Sequence, residues 1–252
     1  MTGSLYLIVV VCALAVPLAF SWHSKIRFVD EWPRFWPACL LTMAFFIVWD
    51  VFFTAEGVWG FNEAYLVGLS LFGLPLEEWL FFIAIPYACV FTYFVLRSHR
   101  KTVSGNTART IVLLIALLSA SLCLFHLSQW YTASATGLCA IFCLILWYKN
   151  PVWLADFLLA FSILIFPFVL TNGILTGLNF WQFPLIHNTA QDIADQVVWY
   201  SNEHNMGIRM FSIPVEDAFY AFLLIGMNVL FFEGRASNAS GAKQRSSLRS
   251  VA

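Results

Sequence analysis

Two pairs of adjacent carboxylic acids are the side chains of this sequence that are best suited to proton transfer. Glu77 and Glu78 form the first pair, and Glu216 and Asp217 form the second. Each pair follows a proline and an aliphatic residue and precedes a segment rich in aromatic residues. Because this pattern occurs twice in a mostly apolar chain, and acids within such a chain are functional by default, we expect both pairs to do chemistry rather than only cap helices.

The prolines in front of the acids indicate where the acids lie. Pro75 and Pro214 suit the first turn of a helix, where a missing N–H is tolerated and the fixed φ is already helical. Both acid pairs are then expected in that first turn, near unpaired N–H groups and the positive end of the helix dipole, which favour the ionised form. Burial and an adjacent acid favour the protonated form instead. Such opposed influences can produce one group that donates a proton and another that accepts one.

Aromatic residues follow each acid pair at helical spacing. Phe81 shares a helix face with Glu77, and Phe82 shares one with Glu78. A ring face attracts a cation but offers it no lone pair that could quench it. We predict that four such rings line the site, namely Phe81, Phe82, Phe219 and Tyr220.

The composition requires a lipid environment for these residues. Of 252 residues, 61% are apolar, 18% aromatic and only 11% charged, whereas about a quarter of the residues of a soluble domain are charged. This excludes the soluble globular and the disordered classes and indicates an integral membrane protein. With 13 basic and 14 acidic residues, the chain also lacks the basic footprint of a nucleic-acid-binding protein.

The apolar residues occur in seven blocks that approach or reach the length of a membrane span. We predict an all-α integral membrane protein with about seven transmembrane helices. Twelve of the 13 basic residues lie in the loops of one side and in the C-terminal tail, which predicts an outer N terminus and a cytoplasmic C terminus. The blocks are Leu5–Trp22, Pro37–Phe53, Leu76–Leu96, Ile111–Leu127, Ala135–Tyr148, Trp153–Leu170 and Ile213–Phe232.

The repeated acid motif opens the third and the seventh block, so the chain reads as two three-helix repeats joined by a linking helix. One joining helix gives both repeats the same orientation and places both acid motifs at the outer face, where one site can draw on both. Asp50 lies towards the same face and is a further candidate for this site. The predicted segments are a first repeat at 1–104, a linking span at 105–133, a second repeat at 134–233 and a disordered cytoplasmic tail at 234–252.

Several cofactor and metal signatures are missing from the sequence. No Gly-x-Gly-x-x-Gly follows a strand, which argues against a flavin or nicotinamide site. No lysine lies in any span, so the seven-helix count does not indicate a retinal Schiff base. No pair of Asp-rich motifs suits magnesium. We therefore predict neither a cofactor nor a metal.

An ordered set of short motifs in both halves resembles the membrane-integral lycopene (carotenoid) cyclase family, in the form where two subunits are fused into one chain. The similarity covers roughly residues 5–233, and its one mild departure is Asp217, where the first half has Glu78. The motifs are Pro75-Leu76-Glu77-Glu78, Pro214-Val215-Glu216-Asp217, Trp49-Asp50, Gly57-Val58-Trp59, Asn172–Thr176, Val198–Tyr200 and Gly207–Arg209.

This resemblance implies a non-redox isomerisation of lycopene in carotenoid biosynthesis. An acid protonates the terminal double bond, the neighbouring alkene closes the ring, and a base removes a proton to leave a β-ionone end. The acid and the base are expected among the four paired acids, in an order that stays open. Substrate contacts are expected from Asp50, Trp59, Asn172 and Thr176 in addition to the four aromatic rings.

Two other functions fit parts of the pattern. A proton-coupled membrane transporter also has repeats and intramembrane acids, although the Gly and Pro interruptions that it needs are sparse here. A related carotenoid end-group hydratase would use the same acids in a wetter site. The expected partners are lycopene and the bilayer of the cytoplasmic (inner) cell membrane. Association with carotenoid-pathway enzymes or with a second copy of the chain stays open, as does the number of rings formed.

Overall fold

The structure is a computed structural model that describes residues 3–98, 105–188, 193 and 195–249. From residue 235 onwards it describes the backbone only. The last helix continues to Arg249, and the expectation of a disordered tail at 234–252 stays a prediction. Seven α-helices occur in the described part, and six of them are long and apolar enough to cross a membrane; α1 is shorter. The helices are α1 Leu5–Phe20, α2 Trp32–Ala55, α3 Leu76–Ser98, α4 Gly105–Phe125, α5 Trp130–Lys149, α6 Leu154–Thr176 and α7 Glu216–Arg249.

The prediction of an all-α membrane protein is confirmed, but six of the seven described helices are longer than their apolar blocks, among them α2, α5 and α6. Helix α2 begins at Trp32, α5 begins at Trp130, and α6 continues to Thr176. Hydrophobicity marks only the part of a helix that is apolar, and the extra turns of α5 and α6 contain polar residues such as Thr132 and Asn172. These polar turns lie at the end of the bundle where α3 and α7 begin, which is called the acidic end below.

Short strands connect the helices at the acidic end. Strands β2 and β3 form a hairpin before α3, β6 and β7 form a hairpin before α7 with β4 along the edge of β6, and β1 pairs with β5. The β1–β5 pair joins the two repeats, because β1 follows α2 and β5 follows α6. The strands are β1 Trp59–Phe61, β2 Ser70–Leu71, β3 Leu74–Pro75, β4 His187–Asn188, β5 Val198–Tyr200, β6 Ile208–Met210 and β7 Ile213–Pro214.

Both prolines end a hairpin instead of opening a helix, so the prediction that they occupy the first helical turn was wrong. Pro75 pairs with Ser70 in the first hairpin, and Pro214 pairs with Arg209 in the second. A proline is tolerated at such a strand end, where its missing N–H removes no ladder hydrogen bond. The acids still lie in the first turns of α3 and α7, as predicted.

The helices of the two repeats interleave around one core. Helix α3 packs on α1 and α2 of its own repeat and on α6 of the other, while α7 packs on α5 and on α2. The linking helix α4 lies mainly against α5. Each helix that carries an acid pair is therefore held by both repeats, which brings the two acid motifs to one place.

The opposite end of the bundle is held by an ion cluster. Arg97 on α3 is paired with Glu233 on α7 and lies 3.9 Å from Asp156 on α6. The Tyr93 hydroxyl donates to the same Glu233 carboxylate at 3.0 Å. This cluster ties together the three helices that form much of the cavity described below.

Candidate active site

The first acid of each pair accepts a hydrogen bond from the backbone of a preceding loop. Glu77 accepts a hydrogen bond from the N–H of Val67 at 2.6 Å, and Glu216 accepts one from the N–H of Met206 at 2.7 Å. In both cases the donor lies ten residues before the acid. Thr132 adds a second hydrogen bond to Glu216 at 2.6 Å. The two residues are equivalent in the repeats, and both brace the segment that leads into the hairpin.

The second acid of the first pair faces a cavity. The hydroxyl of Tyr6, in the first turn of α1, donates a hydrogen bond to Glu78. The carboxyl of Asp50 lines the same cavity as Glu78 and is its neighbour at the acidic end. Glu78 therefore has one phenol donor and one acid as its polar neighbours.

Asp50 completes this acidic pair from α2. Its Oδ1 accepts hydrogen bonds from Trp59 Nε1 at 2.6 Å and from Thr54 Oγ1 at 3.3 Å. Its Oδ2 is buried and has no hydrogen-bond partner among the described residues. This leaves one carboxyl oxygen of Asp50 available to hold a proton.

Asp217, the second acid of the other pair, is surrounded by donors. The hydroxyl of Tyr131, in the first turn of α5, donates to Oδ1. Tyr200 Oη donates to Oδ2 at 3.2 Å, and Asn172 Nδ2 donates to the same oxygen at 3.3 Å. A carboxylate that accepts several hydrogen bonds is stabilised in its charged form.

A buried arginine adds positive charge behind these donors. Arg209 on β6 donates to Asn202 Oδ1 at 2.9 Å and to the carbonyl of Ser212 at 3.2 Å, and its guanidinium lies 5.7 Å from the centre of the Tyr200 ring. Burial and the neighbouring Asp217 hold the pKa of the Tyr200 phenol well above its usual range. Tyr200 therefore stays an O–H donor. Burial lowers the pKa of Arg209 and Asp217 opposes this shift, and a guanidinium remains charged in proteins in any case.

The cavity that joins these acids has a volume of about 640 Å³. Its polar groups are concentrated at the acidic end, and the remaining walls, from α1, α3, α6 and α7, are aliphatic and aromatic. Such a space suits a hydrocarbon whose end reaches a small set of polar groups. The lining at the acidic end is formed by Tyr6, Asp50, Trp59, Glu78, Tyr131, Asn172, Thr176, Tyr200 and Asp217.

Eight of the twelve predicted site residues line this cavity, and the other four pack elsewhere. Phe82 is buried against Phe46, with ring centres 6.1 Å apart, and Phe219 packs against the main core. The eight are Asp50, Trp59, Glu78, Phe81, Asn172, Thr176, Asp217 and Tyr220, and the four are Glu77, Glu216, Phe82 and Phe219.

Helix geometry explains which residues face inward. Successive residues of a helix point about 100° apart, so the two acids of a pair point in different directions. The cavity side of α3 contains Glu78, Phe81 and Ile85, three and seven residues apart. A spacing of four residues predicted that Phe82 shares a helix face with Glu78. In the structure, Phe81 lies on the cavity side of α3 together with Glu78.

The sequence patterns did not indicate the three tyrosines that donate to the acids. Tyr6 and Tyr131 each occupy the second position of the first helix of a repeat, as the structure bounds those helices. Aligning the repeats on their acid motifs does not reveal this equivalence, because Tyr6 precedes Glu78 by 72 residues and Tyr131 precedes Asp217 by 86. Tyr200 was within a noted motif, but only its pairing into β5 shows that it reaches Asp217. Among the described residues, no group of three or more His, Cys, Asp or Glu is arranged to hold a metal ion.

Comparison with known proteins agrees with this two-repeat arrangement. A family model described as lycopene cyclase matches residues 3–96 and 128–234, one stretch in each half. Searches of curated proteins and of solved structures returned no match. The two matched stretches cover most of the chain and leave α4 between them, which confirms the resemblance seen in the short motifs. The chain therefore belongs to the lycopene cyclase family.

Proposed function

We propose that the cavity converts an acyclic end of lycopene into a β-ionone ring, with the Asp50–Glu78 pair as the acid and Asp217 as the base. The observation that carries this assignment is the unequal hydrogen bonding of the two acid sites in one apolar cavity. Asp217 has three donors to its single carboxyl group, whereas the two carboxyl groups of the Asp50–Glu78 pair share three donors, from Tyr6, Trp59 and Thr54.

The Asp50–Glu78 pair is suited to hold a proton. Two neighbouring carboxyl groups within a low-dielectric site do not both ionise readily, because their charges repel and burial penalises each of them. One proton is then shared between the two, as in other paired carboxyl sites. The free Oδ2 of Asp50 provides a place for that proton next to the cavity. The pair can deliver it to an alkene, which is a weak base.

Asp217 is suited to accept a proton after ring closure. Its three donors favour the carboxylate before the reaction, and the guanidinium of Arg209 lies behind the Tyr200 ring. The ring cation is a far stronger acid than a carboxylic acid, so proton transfer to this anion is favourable. The base therefore need not be a strong one, only well placed.

The steps balance without any redox partner. The Asp50–Glu78 pair protonates the terminal C=C bond, which leaves a tertiary carbocation. The neighbouring alkene attacks this cation, a C–C bond closes the ring, and the positive charge moves to a ring carbon. Asp217 removes a proton from the adjacent carbon, and the electrons of the broken C–H bond form the ring double bond. The product is an isomer of lycopene, and a proton returns from Asp217 to the acid pair before the next cycle.

The rest of the cavity protects the cation. The rings of Trp59, Phe81 and Tyr220 line the space beside the acids, and their faces stabilise positive charge. Apolar walls keep water from capturing the cation, which would give an alcohol instead of a ring. The β ring results when the proton leaves from the alkene carbon that formed the new C–C bond. The position of Asp217 relative to that carbon therefore decides the ring type.

We also propose a setting for the enzyme. The acidic end lies at the outer face of the cytoplasmic membrane in this proposal, with the N terminus outside and the C terminus in the cytoplasm, and the distribution of basic residues among the loops supports it. The hydrocarbon substrate and its cyclic product both dissolve in that bilayer.

Expression in a lycopene-accumulating host tests the reaction. We expect the red pigment to be replaced by yellow products of unchanged mass that carry one or two β rings, as measured by chromatography with mass spectrometry. A product heavier by one water molecule per end would show a hydratase instead. Unchanged pigment together with proton-driven solute uptake in vesicles would show a transporter and contradict the proposal.

A further inference from the structure

The cavity reaches the lipid-facing surface between α1 and α6. Among its described lining residues, those at the acidic end are buried or half-buried. The exposed ones are Ile8 and Cys12 on α1 and Pro167 and Leu170 on α6, and all four are apolar. These four residues are called the α1–α6 mouth. Ile8 and Leu170 are each 50% exposed, although they line an internal space.

The two helices beside the mouth are packed loosely against each other. Helix α1 makes most of its helix contacts with α3 and few with α6. Each of the two helices contains a proline that lines the cavity, Pro17 in α1 and Pro167 in α6. A proline inside a helix removes a backbone hydrogen bond and favours a bend. The α1–α6 mouth can therefore widen without breaking the main core.

The equivalent crevice of the other half is a separate pocket whose lining contains none of the acids and includes Phe52, Phe53 and Trp130. By the repeat, it lies between α5 and α2, where Phe52 stacks on Trp130 with ring centres 6.1 Å apart. Behind them, the Trp59 ring lies 4.9 Å from Phe53 and 5.1 Å from Tyr131. Phe53 lines that pocket, whereas Trp59 and Tyr131 line the cavity that contains the acids, so these packed rings lie between the two spaces. The described residues thus offer one wide lateral opening to the acids.

The length of the cavity indicates how much of a polyene it can hold. Its wall along α3 runs from Glu78 to Thr92, which is about 21 Å at about 1.5 Å per residue. Lycopene is long enough to reach across an apolar layer of about 30 Å. A molecule with one end at the acids therefore extends beyond the cavity, and the only apolar continuation lined by exposed residues of the described chain is the α1–α6 mouth.

We propose that an acyclic polyene enters from the lipid through the α1–α6 mouth, one end first, and that its remaining length lies in this mouth during ring closure. This inference rests on the proposed cyclase function and adds the route and the mode of binding. It follows that a second ring requires the molecule to leave and to enter again with its other end first.

Bulky substitutions at the mouth test the route. Cys12→Trp and Leu170→Trp place an indole in the mouth, whereas Val11→Trp and Phe166→Trp place one on exposed positions of the same helices outside the cavity lining. In phosphatidylcholine–phosphatidylglycerol vesicles loaded with lycopene, we expect the first two variants to lose about tenfold or more of the initial rate of ring formation. The two control variants should stay near the wild-type rate. Wild-type rates for both mouth variants would overturn the proposal.

Protection of the natural thiol provides a second measurement that does not depend on folding of a Trp variant. Alkylation of Cys12 by N-pyrenylmaleimide, added to the same vesicles, should become severalfold slower when lycopene is present. The control is the Cys12→Ser, Val11→Cys protein, whose thiol should react at the same rate with and without lycopene. Equal slowing at both positions, or none at Cys12, would overturn the route. Absence of ring formation by the wild-type protein would instead refute the proposed function.

Discussion

At the scale of single residues, hydrogen bonding distinguishes the acids that the sequence presents as pairs. Glu77 and Glu216 bind backbone N–H groups and lie outside the cavity lining, whereas Glu78 and Asp217 face the cavity. The phenol of Tyr131 donates directly to Asp217. A donor to a charged group contributes about 1.5–3 kcal/mol, so this phenol should matter for keeping Asp217 in its basic form and in position.

Tyr131→Phe tests this contribution. We expect the initial rate of ring formation to fall by about ten- to a hundredfold, because one of three donors to the base is lost. The measurement is the rate in lycopene-loaded vesicles. The control is Tyr87→Phe, which removes a buried hydroxyl outside the cavity lining. This hydroxyl lies 2.5 Å from the hydroxyl oxygen of Ser21. If Tyr87→Phe slows the reaction as much as Tyr131→Phe does, the Tyr131 hydroxyl has no special role at the base.

The sequence predicted which residue types meet but not which member of each pair faces the cavity. The acid motifs, Asp50, Trp59 and Asn172 were noted in the sequence, and Asp50, Trp59, Asn172 and one acid of each motif line the cavity. Their roles depend on the angle at which α3 and α7 rotate towards the cavity, and two adjacent acids look alike in a sequence. The tyrosine donors were missed because Tyr6 and Tyr131 come from helices that precede the acids by 72 and 86 residues.

At the scale of elements, the last turn of α6 positions Asn172 against Asp217. Gly173 follows directly, and a Cβ at this position would lie 2.6 Å from Cγ of the buried Phe180 ring. The neighbouring 3-10 turn, Phe180–Gln182, thus lies against the backbone of α6. Only a residue without a side chain permits this approach.

Gly173→Ala should therefore disturb both the fold and the site. Alanine gains up to about 1 kcal/mol of helix propensity, but forcing a methyl group into a filled space costs about 1–3 kcal/mol. We expect a lower thermal unfolding midpoint and slower ring formation. Gly105→Ala is the control, since no atom lies within 4 Å of a Cβ there, and it should behave as wild type. Unchanged stability and rate for Gly173→Ala would contradict the tight contact.

The helices themselves were predictable, and the strands were not. Apolar blocks and acid motifs indicated seven helices and the start of α3 and α7, because burial in lipid imposes long apolar segments. Strands of two or three residues are too short to show an alternating pattern. For this reason Pro75 and Pro214 were assigned to helices, although each ends a hairpin.

At the scale of the whole molecule, the site requires both repeats to present their acid motifs at the same membrane face. The cavity contains Glu78 from the first repeat and Asp217 from the second. The β1–β5 pair and the interleaved helices hold the two halves in this relation. A parallel repeat is the arrangement that an odd number of linking helices allows.

Cysteine labelling tests this arrangement in intact cells. Phe72 and Trp181 are exposed in loops at the acidic end, and Tyr148 and Val152 are exposed at the opposite end. In a Cys12→Ser background, we expect Phe72→Cys and Trp181→Cys to react with a membrane-impermeant maleimide added from outside. Tyr148→Cys and Val152→Cys should react only after the cells are opened. Labelling of Phe72→Cys and Trp181→Cys from opposite sides would exclude a shared cavity.

The most direct test of the account compares the two acids of each pair in one assay, the initial rate of ring formation in lycopene-loaded vesicles. General acid or base catalysis contributes about a hundred- to ten-thousandfold, so Glu78→Gln and Asp217→Asn should each lose at least about a hundredfold. Glu77→Gln and Glu216→Gln keep an oxygen that can accept the hydrogen bonds of the loop and should retain most of the rate. The opposite order, with inactive Glu77→Gln and Glu216→Gln and fully active Glu78→Gln and Asp217→Asn, would contradict the assignment of the acid and the base.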